Sequence, residues 1–253
     1  MTTAVESRPH LHKDAAGARI GMWLFLFTEI LLFGGLFLLY AVYRSKFPAD
    51  FHFSAAELDT FMGTINTAVL LTSSLTMVLA VTSMEKKNRE HTTIFLMVTM
   101  LLGLVFLINK YFEWSVKFSH GLYPGSEVLE FHTAGENIFY ALYYLMTGLH
   151  GLHIIIGLII LSVMFYQVVR KPRQKIRLSA LNRSGISVRD QSGETLWELR
   201  ETEPVHSVEM TLIYQNHDDL MDQQMIKIEN SGLYWHLVSI IWIFLFPLFY
   251  LIT

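Results

Sequence analysis

The sequence predicts an all-α membrane protein: a bundle of five transmembrane helices with a partly β cytoplasmic insertion between helices four and five. Two observations carry that fold class. Of 253 residues, 52% are hydrophobic and only 16% are charged, with a mean hydropathy of +0.38, which is too apolar for an ordinary soluble domain. Five runs also reach the roughly 20 helical residues needed to cross about 30 Å of hydrocarbon: Ile20 to Tyr43, Phe61 to Met84, Ile94 to Trp114, Ile138 to Val169 and Leu233 to Ile252. Residues 1–170 therefore hold helices one to four, residues 171–231 the insertion and residues 232–253 helix five.

The first span is expected to stay in the mature protein. Its apolar run is too long for a cleavable signal, Glu29 interrupts its first half, and no small-residue cleavage pattern follows. Glu29 has only apolar neighbours one turn away, Phe25, Leu26, Leu32 and Phe33. Hydrocarbon disfavours the charged form of such a carboxyl, so it must pair across helices, reach water or a lipid headgroup, or hold a proton. The third span carries Lys110 and Glu113 one turn apart, the spacing of an ion pair that tolerates the membrane interface while the lysine snorkels. The fourth span, long enough to tilt or project, contains His150 and His153 within Gly148-Leu-His-Gly-Leu-His-Ile-Ile-Ile-Gly157, and the fifth opens on Tyr234-Trp235-His236.

Histidines three apart share a helix face and suggest a metal or heme. A bis-histidine heme would need His236 opposite His150 or His153. A carboxylate di-iron centre needs two Glu-x-x-His motifs, but three residues on from Glu29, Glu113, Glu136 and Glu229 stand Leu32, Val116, Phe139 and Gly232. The histidine boxes of membrane desaturases are too numerous for this chain. The leading expectation is that both histidines pack helix four against its neighbours, bonded to groups nearby, with Gly148, Gly151 and Gly157 allowing close approach. There is no cysteine, so disulfides, thiolate metal sites, iron–sulfur clusters and c-type heme attachment are excluded.

Lysine and arginine counts set the orientation. The N-terminal segment, the Glu85 to Thr93 loop and the Arg170 to Gly232 loop carry 3, 3 and 9, against 3 (Arg44, Lys46 and Lys117) on the opposite side. The N-terminus is expected in the cytoplasm of a bacterial cell, and the C-terminus outside. Within the long loop, Ile186 to Val188 and Thr195 to Leu199 flank Asp190-Gln-Ser-Gly193, the pattern of a β-hairpin. The alternation of Val208, Met210, Leu212 and Tyr214 suggests a further strand.

Five segments carry a family resemblance in order along the chain: GMWLFLFTEILLFGG (Gly21 to Gly35), NTAVLLTSS (Asn66 to Ser74), GLVFLINKYFEW (Gly103 to Trp114), TGLHGLHIIIG (Thr147 to Gly157) and ENSGLYWHLVSIIW (Glu229 to Trp242). They resemble the successive motifs of subunit III of heme-copper oxidases, in the shorter five-helix bacterial form. The resemblance implies a subunit without redox centres, with heme and copper in partner subunits. It also implies that the chain packs on subunit I beside subunit II and other oxidase subunits, binds phospholipid but no nucleic acid, and supports proton uptake and durability during turnover. Glu29 matches the family's intramembrane glutamate and is the expected proton-related carboxylate. Glu113, His150, His153, Glu229, Trp235 and His236 are expected to pack helices or contact lipid. The chain departs from the family pattern at Lys110, often Gln, and at Ser239, where the motif has Asp. Subunits of quinol oxidases and relatives associated with nitric oxide reductase share the family, and a free-standing b-heme membrane protein is the alternative from a different class.

Overall fold

The structure, a computed structural model, describes residues 15–170, 174–178, 187–189, 195–198, 208–212 and 217–251. Seven helices and four strands are described. Helices α1 (Ala15–Lys46), α3 (Thr60–Glu85), α4 (Arg89–Ser119), α6 (Ala134–Val169) and α7 (His217–Phe246, continued by a π-helical turn Pro247–Leu251) include the five stretches long and apolar enough to cross a membrane. Two short helices, α2 (Pro48–Ala56) and α5 (Glu127–Glu130), were not anticipated from hydropathy. Both follow from local chemistry. Pro48 begins α2 at the position where a missing N–H costs nothing, and the Ser126 hydroxyl caps α5 by accepting from the Leu129 amide at 3.1 Å.

The ends of the long helices are fixed in the same way. Arg44 and Lys46 close α1, where positive charge complements the helix dipole. Asp59 caps α3, accepting from the amides of Phe61 and Met62 at 3.0 and 3.1 Å, and Asn88 caps α4 by accepting from His91 N at 3.2 Å. Between α3 and α4 the chain reverses through Lys87, whose φ of 58° is in the left-handed region. Helix α2 lies between α1 and α3, and α5 between α4 and α6. Because successive spans alternate in direction, both short helices lie at one end of the bundle.

The fifth span begins far earlier than its apolar run. Helix α7 starts at His217 rather than Leu233, because His-Asp-Asp-Leu-Met-Asp-Gln-Gln-Met combines acidic residues in the first turns with good helix formers, a signal that an apolar window does not register. Within the membrane unit α7 is also the central element: 61% of its most apolar stretch is buried, against 11% for α1. Its aromatic side chains seat on glycines of the other helices. A Cβ added at Gly63 (α3), Gly103 (α4) or Gly157 (α6) would meet Phe246 at 2.8 Å, Trp235 at 2.8 Å or Trp235 at 2.9 Å, so the absence of a side chain sets the approach of three helices to α7. Gly148 would meet only Trp114, at 3.2 Å, and Gly151 has nothing within 4 Å; the packing role expected of Gly151 is therefore not seen.

Arg170–Leu220 form a second unit. In it β1 (Gln174–Leu178) pairs antiparallel with β4 (Val208–Leu212), Gln174 opposite Leu212, and β2 (Ser187–Arg189) pairs antiparallel with β3 (Thr195–Glu198), Ser187 opposite Glu198. The run from Val208 thus pairs with Gln174–Leu178 rather than extending the β2–β3 pair. Ile186, the Asp190 to Gly193 turn, Leu199 and Tyr214 lie outside the described residues.

Candidate functional site

Glu29 sits near the middle of α1, and across the helix interface its Oε2 lies 2.8 Å from Nε2 of His153 on α6. Of the three ways a lone intramembrane carboxyl can be accommodated, the structure takes the pairing across helices. The side chains of Glu29 and His153 are only 13% and 10% exposed. The other ring nitrogen, Nδ1, is 2.7 Å from the carbonyl oxygen of Leu149 one turn back. A carbonyl only accepts, so Nδ1 carries a hydrogen. One proton then lies on the Nε2 to Oε2 axis, and the pair is either a neutral carboxyl facing a neutral imidazole or a carboxylate facing an imidazolium. Both forms are uncharged overall, so moving the proton from one atom to the other would leave the net charge of the pair unchanged. Tyr234 of α7 donates to the His153 carbonyl at 2.9 Å, and Phe33 meets the imidazole edge-on with centroids 5.4 Å apart. Three helices, α1, α6 and α7, therefore build this site.

His150 does not join it. Its ring is fully buried, stacked on Trp242 with centroids 5.3 Å apart and met edge-on by Phe106 at 5.5 Å, and neither ring nitrogen has a hydrogen-bond partner among the described residues. The expectation that both histidines bond to neighbouring groups is thus met by His153 and not by His150. His236 turns to α3, where its Nδ1 is 2.6 Å from the Ser74 hydroxyl. Trp235 is buried and its indole donates to Ser73 Oγ at 3.0 Å, which in turn donates to the Thr99 carbonyl at 3.2 Å. Glu229 pairs with Arg19 of α1 at 2.8 Å. Ser239, where the family motif has an acid, donates to the Trp235 carbonyl at 2.9 Å, so its hydroxyl is satisfied within its own helix. Among the described residues no group of three or more His, Cys, Asp or Glu is placed to hold a metal ion.

Lys110 and Glu113 do form the i,i+3 ion pair, Nζ to Oε2 at 2.9 Å, and it is enclosed by other helices. The residues are 8% and 7% exposed, and the lysine does not snorkel to an edge. Its Nζ also donates to the Tyr250 hydroxyl at 2.6 Å, while Tyr143 donates to Glu113 Oε1 at 2.6 Å and Tyr250 donates to the same oxygen. Farther toward the end where α2 and α5 lie, Tyr140 donates to Glu57, and Lys117 Nζ lies 3.4 Å from the Glu57 carbonyl. The tyrosines of this cluster were not singled out in the sequence, because a phenol within an apolar run reads as core.

Comparison with known proteins places this arrangement. The family model of cytochrome c oxidase subunit III matches residues 3–175. The chain is 25% identical over 251 residues to the cytochrome c oxidase subunit 3 of Thermostichus vulcanus, covering 96% of this chain and 92% of that one. It is 28% identical over 235 residues to the subunit 3 of Alkalihalophilus pseudofirmus, covering 92% and 85%. Over 239 residues it is 25% identical to the heme-copper oxidase subunit I+III of Aeropyrum pernix, covering 92% of this chain and 22% of that longer one. With a family match over most of its length and five helices able to span a membrane, the chain belongs to the cytochrome c oxidase subunit III family.

Proposed function

We propose that the chain is the noncatalytic subunit of a proton-pumping heme-copper terminal oxidase in a bacterial cytoplasmic membrane, and that Glu29 with His153 exchanges protons inside the bundle in support of sustained turnover. The single observation behind the proton role is the 2.8 Å Glu29–His153 bond, which provides a net-neutral proton position in an apolar setting. On this reading heme and copper sit in partner subunits. Packing on subunit I is supported by the exposed apolar face of α1, which includes Trp23, Phe27, Leu31 and Leu38, and by the Aeropyrum pernix relative, whose name joins subunits I and III. A groove of about 560 Å³ between α4 and α6, lined by Leu104, Leu107, Ile155, Leu158, Ile159 and Val163 among others, has the aliphatic character that suits a phospholipid acyl chain. The excess of Lys and Arg on one side orients the N-terminus to the cytoplasm and the α2/α5 end outward. The chain between α6 and α7 is then a partly β cytoplasmic element, a reading supported by the two antiparallel strand pairs that lie before α7 begins at His217.

Glu29→Ala tests the proton role. Assembly and the spectrum of the oxidase should be unchanged, while proton-coupled turnover or the working life of the enzyme falls. In the parent protein a hydrophobic carbodiimide, which attacks protonated carboxyls in apolar surroundings, should modify Glu29 in preference to Glu57 or Glu85. Full pumping and lifetime in Glu29→Ala would leave the pair with a packing role only.

A further inference from the structure

The space between α4, α6 and the last turn of α7 has the composition of a receptor for an ammonium ion. We infer that it is a cation-binding site of the small ammonium class, occupied by the chain's own Lys110, and that this tethered cation fixes the π-helical turn Pro247–Leu251 to the bundle. Nζ of Lys110 lies 4.8 Å from the centroid of Trp242, 5.2 Å from Tyr250 and 5.4 Å from Tyr143. Three ring faces within about 6 Å are what an aromatic cage offers a cation once water is removed. Glu113 supplies the anion at 2.9 Å, and its second oxygen is held by the hydroxyls of Tyr143 and Tyr250. The carboxylate is thereby aimed into the cage by the rings that form it, and a second of the three Lys110 donors reaches the Tyr250 oxygen at 2.6 Å.

Tyr250 makes the site consequential. It belongs to the π turn, which opens at Pro247, a residue with no N–H to continue the α-helical ladder. The backbone of that turn is held by two further side chains: Tyr40 of α1 donates to the Leu248 carbonyl at 2.8 Å, and Thr60 of α3 donates to the Tyr250 carbonyl at 3.4 Å. Lys110 and Glu113 add α4, and Tyr143 adds α6, so the cation is the point at which the turn's one buried phenol is tied to two more helices.

Chemical rescue tests it in native membranes. In Lys110→Ala, protection of the backbone amides of residues 248–250 against hydrogen exchange should fall by at least about a hundredfold, the lower end of what is expected when one partner of a buried ion pair is removed. Ethylammonium chloride should restore most of that protection, whereas equal concentrations of sodium chloride or of ethanol, its neutral counterpart, should not. Lys110→Met fills the same space without charge, so it should lose protection and gain nothing from ethylammonium. If Lys110→Ala does not accumulate, the same comparison is made on accumulation, and cells supplied with ethylammonium should regain the chain. Unchanged protection in Lys110→Ala, equal rescue by sodium chloride, rescue of Lys110→Met, or no accumulation in any medium would each overturn the assignment.

Discussion

The imidazole of His150 is enclosed by Trp242 and Phe106 with no partner for either nitrogen among the described residues, whereas the imidazole of His153, one turn away, is bonded at both. An unsatisfied buried polar group costs about 1–3 kcal/mol, and a phenylalanine would keep the ring contacts without that cost. His150→Phe should therefore assemble normally and raise the thermal midpoint of the protein or leave it unchanged. His153→Phe should lower it, because Glu29 then loses its bond to α6, with a penalty of at least about 1 kcal/mol. A thermal midpoint that falls as far in His150→Phe as in His153→Phe would show that the two rings are equivalent. The spacing of the two histidines was legible in the sequence, and with it their shared helix. Their different fates were not, because the partner of His153 lies on α1 and the rings around His150 come from α4 and α7, and no local pattern encodes which helix arrives at which turn. Glu29 was legible for the opposite reason: a carboxyl with only apolar neighbours one turn away along its own helix has to be explained by something outside that helix.

The helices were legible in their cores and not at their ends. Hydropathy finds the stretch that must lie in hydrocarbon, but the caps at Asp59 and Asn88, the proline that opens α2 and the polar first half of α7 follow rules of backbone bonding that operate equally well in water. The seating of α7 gives a test at this scale. A methyl group at Gly103 or Gly157 would approach the Trp235 ring to 2.8 or 2.9 Å, and overpacking of this kind typically costs about 1–3 kcal/mol. Gly103→Ala and Gly157→Ala should each reduce thermal stability by that amount. Gly151→Ala, on the same helix as Gly157 but with open space around it, should be neutral or slightly stabilising through its better helix propensity. If all three variants behave alike, the glycines do not set the distance between α7 and its neighbours.

Across the whole membrane unit burial is uneven, with α7 largely enclosed and α1 largely not. Lipid satisfies an apolar helix face as well as protein does, so exposure alone does not distinguish a lipid face from a docking face. Substitution does: Leu31→Trp on the outward side of α1 should leave the chain folded and inserted while reducing copurification with subunit I, because a partner surface packs to shape and fluid lipid does not. Undiminished copurification would assign that face to lipid. Composition made the membrane class legible at this scale, and charge asymmetry supplied a proposed orientation, but the unequal burial of the five spans was not. All five are comparably apolar, with mean hydropathies between 1.7 and 2.3, and what distinguishes the central one is its place among the others. Because α7 is the last of the five in chain order and also the one the rest enclose, its position bears on biogenesis. As the polypeptide leaves the ribosome, α1, α3, α4 and α6 enter the bilayer with the surfaces that will receive Trp235 and Phe246 still facing lipid, and they wait through the translation of residues 170–216 for the helix that covers them. A stop codon anywhere before Tyr234 should then leave four inserted helices without a common core, and the quality-control proteases of the membrane would meet an unfinished assembly rather than a shortened one.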